Sequence, residues 1–280
     1  AIQDTPMATR VTFIGAGNMA SAIIGGMIDS GFSPSAITAT SPSDAFLAPV
    51  HERYGIHTNT DNVAAVAQAD VVVLAVKPQI MKEVCEGLAG VVQRQRPLII
   101  SVAAGLDAAT LEAWLGGDLP LVRCMPNTPA LVGAGASGLC ANARVSDEQR
   151  ALATELMEAV GLVEWVEEEH LLDAVTAVSG SGPAYFFLMF EAMEEAGVKL
   201  GLPADTARRL AMQTALGAAK MAMASDKSPA ELKRNVMSPG GTTERAIEHL
   251  EAAELRRILA EAMDACAARA REMAAELGGR

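Results

Sequence analysis

The chain has 280 residues, of which half are hydrophobic but only 4% aromatic, and a formal net charge of −12. The length predicts about two domains, and the acidic balance without a basic cluster argues against nucleic-acid binding and favours a small-molecule partner. No apolar run approaches the roughly 20 residues that cross a bilayer, and no basic-then-apolar leader is present, so we expect a cytoplasmic protein. Residues 1–6, before Met7, resemble an expression-vector remnant.

The first predicted elements are an apolar strand from Val11 and a helix that begins after the turn Gly15-x-Gly17-x-x-Ala20. This spacing is typical of the turn that holds a dinucleotide pyrophosphate. The first glycine allows a tight bend, the second admits the phosphates, and the small third residue lets helix and strand pack closely. The anion then lies on the helix N-terminus, where the dipole favours negative charge. A purely structural turn is the alternative.

Further apolar runs alternate with helical segments and predict a doubly wound, mainly parallel sheet, the α/β Rossmann arrangement. The predicted strands lie at residues 36–40, 55–58, 71–76, 98–102 and 121–125. A continuous apolar run such as 71–76 is typical of a central strand buried on both faces. Because ligands lie beyond the carboxyl ends of such strands, we expect residues 77–78, 103–104 and 125–127 to line one crevice.

The second half of the chain changes character. Ser146 and Gln149 form a capping box that predicts a helix to about residue 160. From about residue 170 the strand signals end, so we place a Rossmann domain in residues 7–169 and an all-α domain in residues 170–280. The helices of the second domain are predicted at residues 171–178, 183–199, 204–224, 229–237 and 243–277, the last broken near Glu251. Their apolar surface predicts burial against a second subunit; a self-contained bundle is the alternative.

The cysteines and histidines give no sign of a metal site. They are scattered, without the spacings of Cys-x-x-Cys or His-Glu-x-x-His motifs. We therefore predict no metal and expect buried free thiols at Cys85, Cys124, Cys140 and Cys266.

The end of the second predicted strand favours NADPH over NADH. An acidic residue about 20 residues past the glycines usually accepts hydrogen bonds from the ribose 2′-hydroxyl of NAD. Residues 40–43 are instead Thr, Ser, Pro and Ser, and the Ser41 hydroxyl can donate to a 2′-phosphate that a carboxylate would repel. Asp44 follows closely and no arginine lies between Gly31 and Glu52, so NADH stays an alternative.

Two glycine-rich segments interrupt the helical domain, at residues 179–185 and 238–243. The first is equally well explained as helix punctuation. In the second, two glycines expose backbone N–H groups and Thr242 and Thr243 head a helix, which predicts a cradle for a small carboxylate. No Ser/His/Asp, Cys/His or paired-carboxylate constellation suggests itself nearby. A dinucleotide, an anion cradle and no strong base favour hydride transfer to an electrophilic substrate such as a protonated imine.

From about residue 11 to residue 273 the chain resembles the pyrroline-5-carboxylate reductases. The resemblance rests on motifs at residues 13–19, 75–78, 123–129, 179–185 and, above all, 238–243. It implies a helical domain that interlocks into a homodimer, often with assembly into decamers, and reduction of L-1-pyrroline-5-carboxylate to L-proline by NAD(P)H, the last step of proline synthesis. Cys124 stands where the family often has valine or isoleucine, which indicates a packing variation.

The resemblance also assigns roles to residues. The implied cofactor contacts are Gly15, Ala16, Gly17, Asn18 and Met19 at the phosphates, Ser41 at the ribose phosphate, Asn62 at the adenosine, Val76, Lys77, Pro78 and Ala103 at the nicotinamide, and Asn235. The implied substrate contacts are Ser238, Gly240, Gly241, Thr242 and Thr243. Of these, Thr243 is the implied catalytic residue, beside the ring nitrogen and with Asn235 nearby.

Two other interpretations share the fold. A β-hydroxyacid dehydrogenase places a catalytic lysine on the helix after a glycine-rich motif, but the helix from Pro183 carries no lysine before Lys199. A nucleotide-sensing or structural binding protein is the other alternative, and it gives the loop at residues 238–243 no role.

Overall fold

The structure is a computed structural model that describes residues 9–278, so the suggested vector remnant at residues 1–6 lies outside the described residues. The strands within this range form one sheet in the order β3-β2-β1-β4-β5-β6-β7-β8. They are β1 (Val11–Ile14), β2 (Ile37–Thr40), β3 (His57–Asn59), β4 (Val71–Leu74), β5 (Leu98–Ser101), β6 (Leu121–Met125), β7 (Gly135–Ala141) and β8 (Gly161–Trp165). All neighbours are parallel except β6 and β7. The predicted doubly wound, mainly parallel sheet is confirmed.

The carboxyl ends of the central strands are aligned with one another. They form the edge of the sheet at which a site can lie. Ile14 at the end of β1 pairs with Thr40 of β2 and with Leu74 of β4, and Leu74 pairs with Ser101 of β5. All residues of β1, β4 and β5 are buried, because helices cover both faces of the sheet. The segments that follow these strands therefore emerge side by side.

The sequence did not predict β7 and β8. β7 is built largely from glycine, alanine and serine, and it is held by antiparallel pairing with β6, in which Val122 lies opposite Ala141. Gly161 follows the helix predicted to about residue 160, and it begins β8, where a Cβ would lie 2.0 Å from the Gly135 carbonyl oxygen. Pairing in three dimensions, rather than local β-propensity, makes these segments strands.

Helices connect the strands of this sheet. They are α1 (Asn18–Asp29), α2 (Asp44–Tyr54), α3 (Asn62–Val66), α4 (Pro78–Gln95), α5 (Ala108–Trp114), α6 (Asp147–Glu158) and α7 (Leu171–Val175). The predicted capping box is confirmed, because the Gln149 N–H donates to Ser146 Oγ (3.1 Å) and the Ser146 N–H donates to Gln149 Oε1 (3.0 Å). α7 widens into a π-turn, Thr176–Gly180, before the next helix begins.

Two compact units divide the chain at a different point from the predicted boundary at residues 169/170. The first runs through Ser181 and takes up the chain again from Cys266, and the second is Gly182–Ala265. α7 stays with the sheet, since Val175 packs against β7 so closely that a Cβ at Gly138 would lie 2.6 Å from its side chain. The end of the last helix also belongs to the first unit, where Leu277 packs on the core beside β4 and β5.

The second unit is helical, as predicted. Its helices are α8 (Gly182–Lys199), α9 (Ala204–Ala224), α10 (Pro229–Asn235) and α11 (Thr242–Ala252), and α12 (Leu255–Gly278) starts within it. The helix break predicted near Glu251 lies at residues 253–254, where Glu254 adopts a φ of +62°. Many large apolar side chains of this unit are exposed, among them Phe187 at 62%, Leu200 at 87% and Met223 at 76%. This is the surface that the sequence predicts to be buried against a second subunit.

The cysteines follow the prediction with one exception. All four are free; Cys85, Cys124 and Cys140 are buried, whereas Cys266 is partly exposed. Burial raises the pKa of the Cys85 thiol to about 12. Across residues 9–278 there is no cluster of three or more His, Cys, Asp or Glu side chains that could hold a metal ion. Within the same range, no helix combines the length and the apolar character needed to cross a membrane.

Two helix glycines are expected to respond oppositely to substitution by alanine. Gly26→Ala should lower the free energy of unfolding by about 1–3 kcal/mol, because the new Cβ would lie 2.5 Å from the Ala159 carbonyl oxygen. Gly87→Ala should raise it by about 0.5–1 kcal/mol, since no atom lies within 4 Å of that position and alanine favours the helix. Denaturant unfolding measures both. Equal effects of the two substitutions would contradict the close contact at α1.

Candidate functional site

The turn after β1 is shaped by the close approach of two strand ends. Gly15 has a backbone φ of +107°, in the left-handed region that favours glycine. A Cβ at this position would lie 2.7 Å from the Ala75 carbonyl oxygen. The Gly15 N–H donates to the Thr40 carbonyl (3.1 Å) and the Ala75 N–H donates to the Ile14 carbonyl (2.9 Å). The turn is thus fixed between the ends of β1, β2 and β4.

The helix that follows this turn has an uncapped N-terminus. Gly17 is the N-cap of α1, and it offers no side chain to accept hydrogen bonds from the first-turn N–H groups. Apart from its chain neighbours, no described atom lies within 4 Å of the position that a Gly17 Cβ would take. Such N–H groups and the helix dipole favour an anion. The turn therefore fits a dinucleotide pyrophosphate, which residues 15–19 would hold.

A cleft of about 330 Å³ starts at this turn. Among the predicted cofactor contacts, those that line it are Gly15, Ala16, Gly17, Ser41, Asn62, Val76 and Lys77. Within the described residues of this lining, Lys77 is the only charged side chain. The cleft thus brings together the predicted contacts for the phosphates, the adenosine and part of the nicotinamide.

The other predicted cofactor contacts lie outside this lining. Asn18 and Met19 begin α1, and Pro78 is the first residue of α4. Ala103 is buried just after β5, where its N–H donates to the Ser101 hydroxyl (3.3 Å). Asn235 is the exposed last residue of α10 in the second unit.

Sequence reasoning missed the apolar wall of the cleft. Phe46 of α2 and Ile80 of α4 line it and are 68% and 47% exposed. A flat aromatic surface of this kind suits stacking of a purine base. The only sequence signal for these residues is an apolar side chain near the start of a helix that follows a strand, which is too common to single them out.

The end of β2 bears on the choice between NADPH and NADH. Ser41 is 8% exposed, and its Oγ accepts a hydrogen bond from the Ser43 N–H (3.4 Å). Ser43 in turn caps α2 by accepting from the Ala45 N–H (3.2 Å). Asp44 is the acidic residue that kept NADH as an alternative cofactor. It lies in the first turn of α2 and is not among the described lining residues of the cleft.

A second cavity, of about 460 Å³, lies beyond the carboxyl ends of β5 and β6. Ala104 and Met125 line this cavity, whereas Lys77 lines the first, so the positions expected to share one crevice fall in two. Arg123 pairs with Glu169 (2.9 Å) on its wall, and the same Glu169 oxygen accepts from the Ala108 N–H (2.7 Å). Arg123 is therefore already matched by a carboxylate.

The motif at residues 123–129 has a largely structural role within the first unit. The Asn127 side-chain amide donates to the Ser179 carbonyl (3.0 Å), and its oxygen accepts from the Ala136 N–H (2.8 Å). Burial raises the pKa of the Cys124 thiol to about 12, so the thiol stays protonated near neutral pH. This agrees with the packing role predicted for Cys124.

The loop at residues 238–243 leads into α11 as predicted. Thr242 and Thr243 are the first two residues of that helix, and Gly241 is its N-cap, with no side-chain cap. Gly240 adopts a φ of +71°, which glycine allows at no steric cost. The loop therefore presents a second uncapped helix N-terminus, flanked by threonine hydroxyls.

The expectation that Gly240 and Gly241 present free N–H groups is wrong. The Gly240 N–H donates to Glu244 Oε1 (3.1 Å), and the Gly241 N–H donates to the Ser238 carbonyl (2.9 Å). The Gly241 N–H is thus paired within a tight turn, and the Gly240 N–H is paired with a glutamate side chain from the first turn of α11. The donors left to an anion are the first-turn N–H groups of α11. One carboxylate of this chain, that of Glu244, already binds this loop.

The sheet order, the glycine turn and the uncapped α1 define a dinucleotide-binding α/β protein. Residues 10–105 match the family described as NADP oxidoreductase, coenzyme F420-dependent, and residues 169–273 match that of pyrroline-5-carboxylate reductase dimerisation. The chain is 52% identical over 269 residues to pyrroline-5-carboxylate reductase of Pseudomonas aeruginosa, covering 96% of this chain and 98% of that protein.

Solved structures give the same result. A pyrroline-5-carboxylate reductase of Coxiella burnetii superposes with a TM-score of 0.93 at 47% identity, over 95% of this chain and 98% of that one. The Plasmodium falciparum pyrroline carboxylate reductase, solved with NADP bound, gives a TM-score of 0.82 at 29% identity, over 95% and 98%. The chain belongs to the pyrroline-5-carboxylate reductase family and is an oxidoreductase.

Gly17→Val tests the pyrophosphate turn. The branched side chain would enter the space beside the α1 N-terminus and should weaken NADPH binding by about tenfold or more. Gly17→Ala, with a single methyl group, should weaken it less. Calorimetric titration measures the affinity, and thermal unfolding checks that both variants fold. Wild-type affinity in a folded Gly17→Val variant would remove the turn from the site.

Proposed function

We propose that this chain reduces L-1-pyrroline-5-carboxylate to L-proline with NAD(P)H, the final step of proline synthesis. The observation that carries the proposal is the loop at residues 238–243, which offers an uncapped helix N-terminus and two threonine hydroxyls to a small carboxylate. The names of the relatives support the same substrate. In this proposal Ser238, Gly240, Gly241 and Thr242 shape the carboxylate site around Thr243.

In the proposed reaction the residues of the chain bind and orient the cofactor and the substrate. A bound nicotinamide would supply the hydride. The α1 N-terminus offsets the charge of the pyrophosphate, and Lys77 adds a cation at the cleft. The α11 N-terminus holds the substrate carboxylate, which fixes the ring and its imine carbon. A protonated imine is already electrophilic, so no strong general acid is needed to activate it.

Thr243 has the proposed chemical role. When the imine carbon accepts the hydride, the ring nitrogen gains a lone pair and needs a hydrogen-bond donor. The Thr243 hydroxyl supplies that donor at the head of α11. A threonine hydroxyl is too weakly acidic to be the ultimate proton source near neutral pH. Thr243 therefore orients the imine or relays a proton from water.

NADPH is the proposed preferred cofactor, with NADH as the alternative. Ser41 lies at the end of β2, where a hydroxyl can donate to a 2′-phosphate. The cleft lining carries no described carboxylate to repel that phosphate. NADP in the Plasmodium falciparum structure agrees with this choice.

We also propose that the protein self-associates through its helical unit. The exposed apolar side chains of α8 and α9, such as Phe187 and Met223, need a covering surface. The match to a dimerisation family over residues 169–273 supports a second copy of this chain as that surface. We propose an interlocked homodimer, which can assemble further into a decamer.

The substrate assignment is tested with a pair of cyclic imines. If the α11 N-terminus binds the carboxylate, kcat/KM for pyrroline-5-carboxylate should exceed that for 1-pyrroline by about 10²-fold or more, because the same ring then lacks the group that positions it. The fall in NADPH absorbance follows both reactions. Equal kcat/KM values would contradict the carboxylate cradle, and no turnover of either imine would contradict the proposed function.

Ser41→Asp tests the cofactor preference. A carboxylate at the end of β2 should repel a 2′-phosphate and lower the NADPH/NADH ratio of kcat/KM by about tenfold or more. Asp44→Asn is the matched control, because Asp44 does not line the cleft and should leave the ratio within about twofold. An unchanged ratio in Ser41→Asp would place the 2′-phosphate elsewhere.

Thr243→Ala and Thr243→Ser distinguish a role of the Thr243 hydroxyl from a role of its methyl group. Loss of one hydrogen bond of about 1–3 kcal/mol should lower kcat of Thr243→Ala by roughly 10- to 100-fold, with NADPH affinity nearly unchanged. Thr243→Ser should keep most activity. Saturating-substrate kinetics measure kcat. Full activity of the alanine variant would refute the role, and an equal loss in the serine variant would assign the effect to packing.

A further inference from the structure

One buried hydroxyl stands apart from the others in the described part of the chain. Thr40 is 1% exposed, and its Oγ1 is the only buried side-chain nitrogen or oxygen in residues 9–278 without a hydrogen-bond partner. A buried hydroxyl without a partner lowers the stability of a folded protein, and proteins rarely keep one without a reason. Thr40 therefore needs a physical explanation.

Neighbouring buried hydroxyls are satisfied. Thr12, on the adjacent strand β1, donates from its Oγ1 to the Ala65 carbonyl (2.9 Å). Ser101, at the end of β5, accepts from the Ala103 N–H (3.3 Å). Segments that adjoin the sheet thus provide partners for these two hydroxyls, and the unpaired one lies at the end of β2.

Thr40 also lies where a ligand is expected. It lines the cleft that begins at the glycine turn, directly before Ser41. Its own carbonyl accepts from the Gly15 N–H (3.1 Å), so its backbone is fixed against the pyrophosphate turn. A dinucleotide in this cleft offers phosphate oxygens and ribose hydroxyls, both of which can pair with a hydroxyl.

We propose that Thr40 is a cofactor-positioning residue whose hydroxyl pairs with the adenosine side of the bound dinucleotide. The inference rests on the proposed function, since it requires a dinucleotide in this cleft. The hydroxyl is shielded from water, so binding must turn it towards the ligand by rotation about the Cα–Cβ bond. The unpaired hydroxyl lowers stability before binding and gains its partner on binding.

Thr40→Val tests this inference because it replaces the hydroxyl by a methyl group of similar shape. Without the unpaired hydroxyl, the cofactor-free variant should melt about 2–4 °C above the wild type. Its NADPH dissociation constant should rise about fivefold to tenfold through loss of one hydrogen bond. Thr40→Ser, which keeps the hydroxyl, should bind NADPH within about twofold of the wild type.

Thr12→Val is the matched control and should show the opposite pattern. Its hydroxyl already has a partner, and Thr12 itself does not line the cleft, so the melting temperature should fall and NADPH affinity should not change. Differential scanning fluorimetry and calorimetric titration measure the two quantities.

Two results would overturn the inference while leaving the proposed function intact: wild-type NADPH affinity in Thr40→Val, or a fall in its melting temperature like that of Thr12→Val. A wild-type protein that binds neither NADPH nor NADH would overturn both.

Discussion

The contact between Gly15 and the Ala75 carbonyl is the constraint on which the site depends. It lets the turn after β1 pass close to the end of β4, and a Cβ at 2.7 Å from the Ala75 carbonyl oxygen would force the two apart. The hydrogen bond from Gly15 to the Thr40 carbonyl ties the end of β2 to the same turn. Three strand ends and the start of α1 are thereby fixed around one cleft, so the geometry offered to a dinucleotide is set by backbone packing.

Two helices share an N-terminus without a side-chain cap. α1 and α11 both begin after a glycine N-cap, Gly17 and Gly241, that provides no side-chain acceptor for the first-turn N–H groups. In the described part of the chain, each α-helix whose N-cap is Ser or Asp is capped by that side chain, as α6 is by Ser146. Leaving the two N-termini uncapped forgoes local stability and leaves donors for anions. In the proposed reaction these anions are the pyrophosphate and the substrate carboxylate.

Much of the fold could be predicted from local signals, and the rest depended on pairing in three dimensions. Val71–Leu74 belongs to a continuous apolar run, and it is a strand as predicted. Gly135–Ala141 has no such signal, because its partner β6 makes it a strand. The glycine turn located the cleft, but the hydrogen bond from Gly240 to Glu244 depends on a side-chain conformation that no spacing encodes. Thr40 likewise gave no signal, since burial without a partner is visible only in coordinates.

A crystal structure with NADP and L-proline bound tests the central claim most directly. The account predicts pyrophosphate oxygens within about 3 Å of the first-turn N–H groups of α1, and the proline carboxylate within the same distance of those of α11. A carboxylate held instead by a side chain such as Arg123, or a dinucleotide bound away from the turn at Gly15, would contradict it.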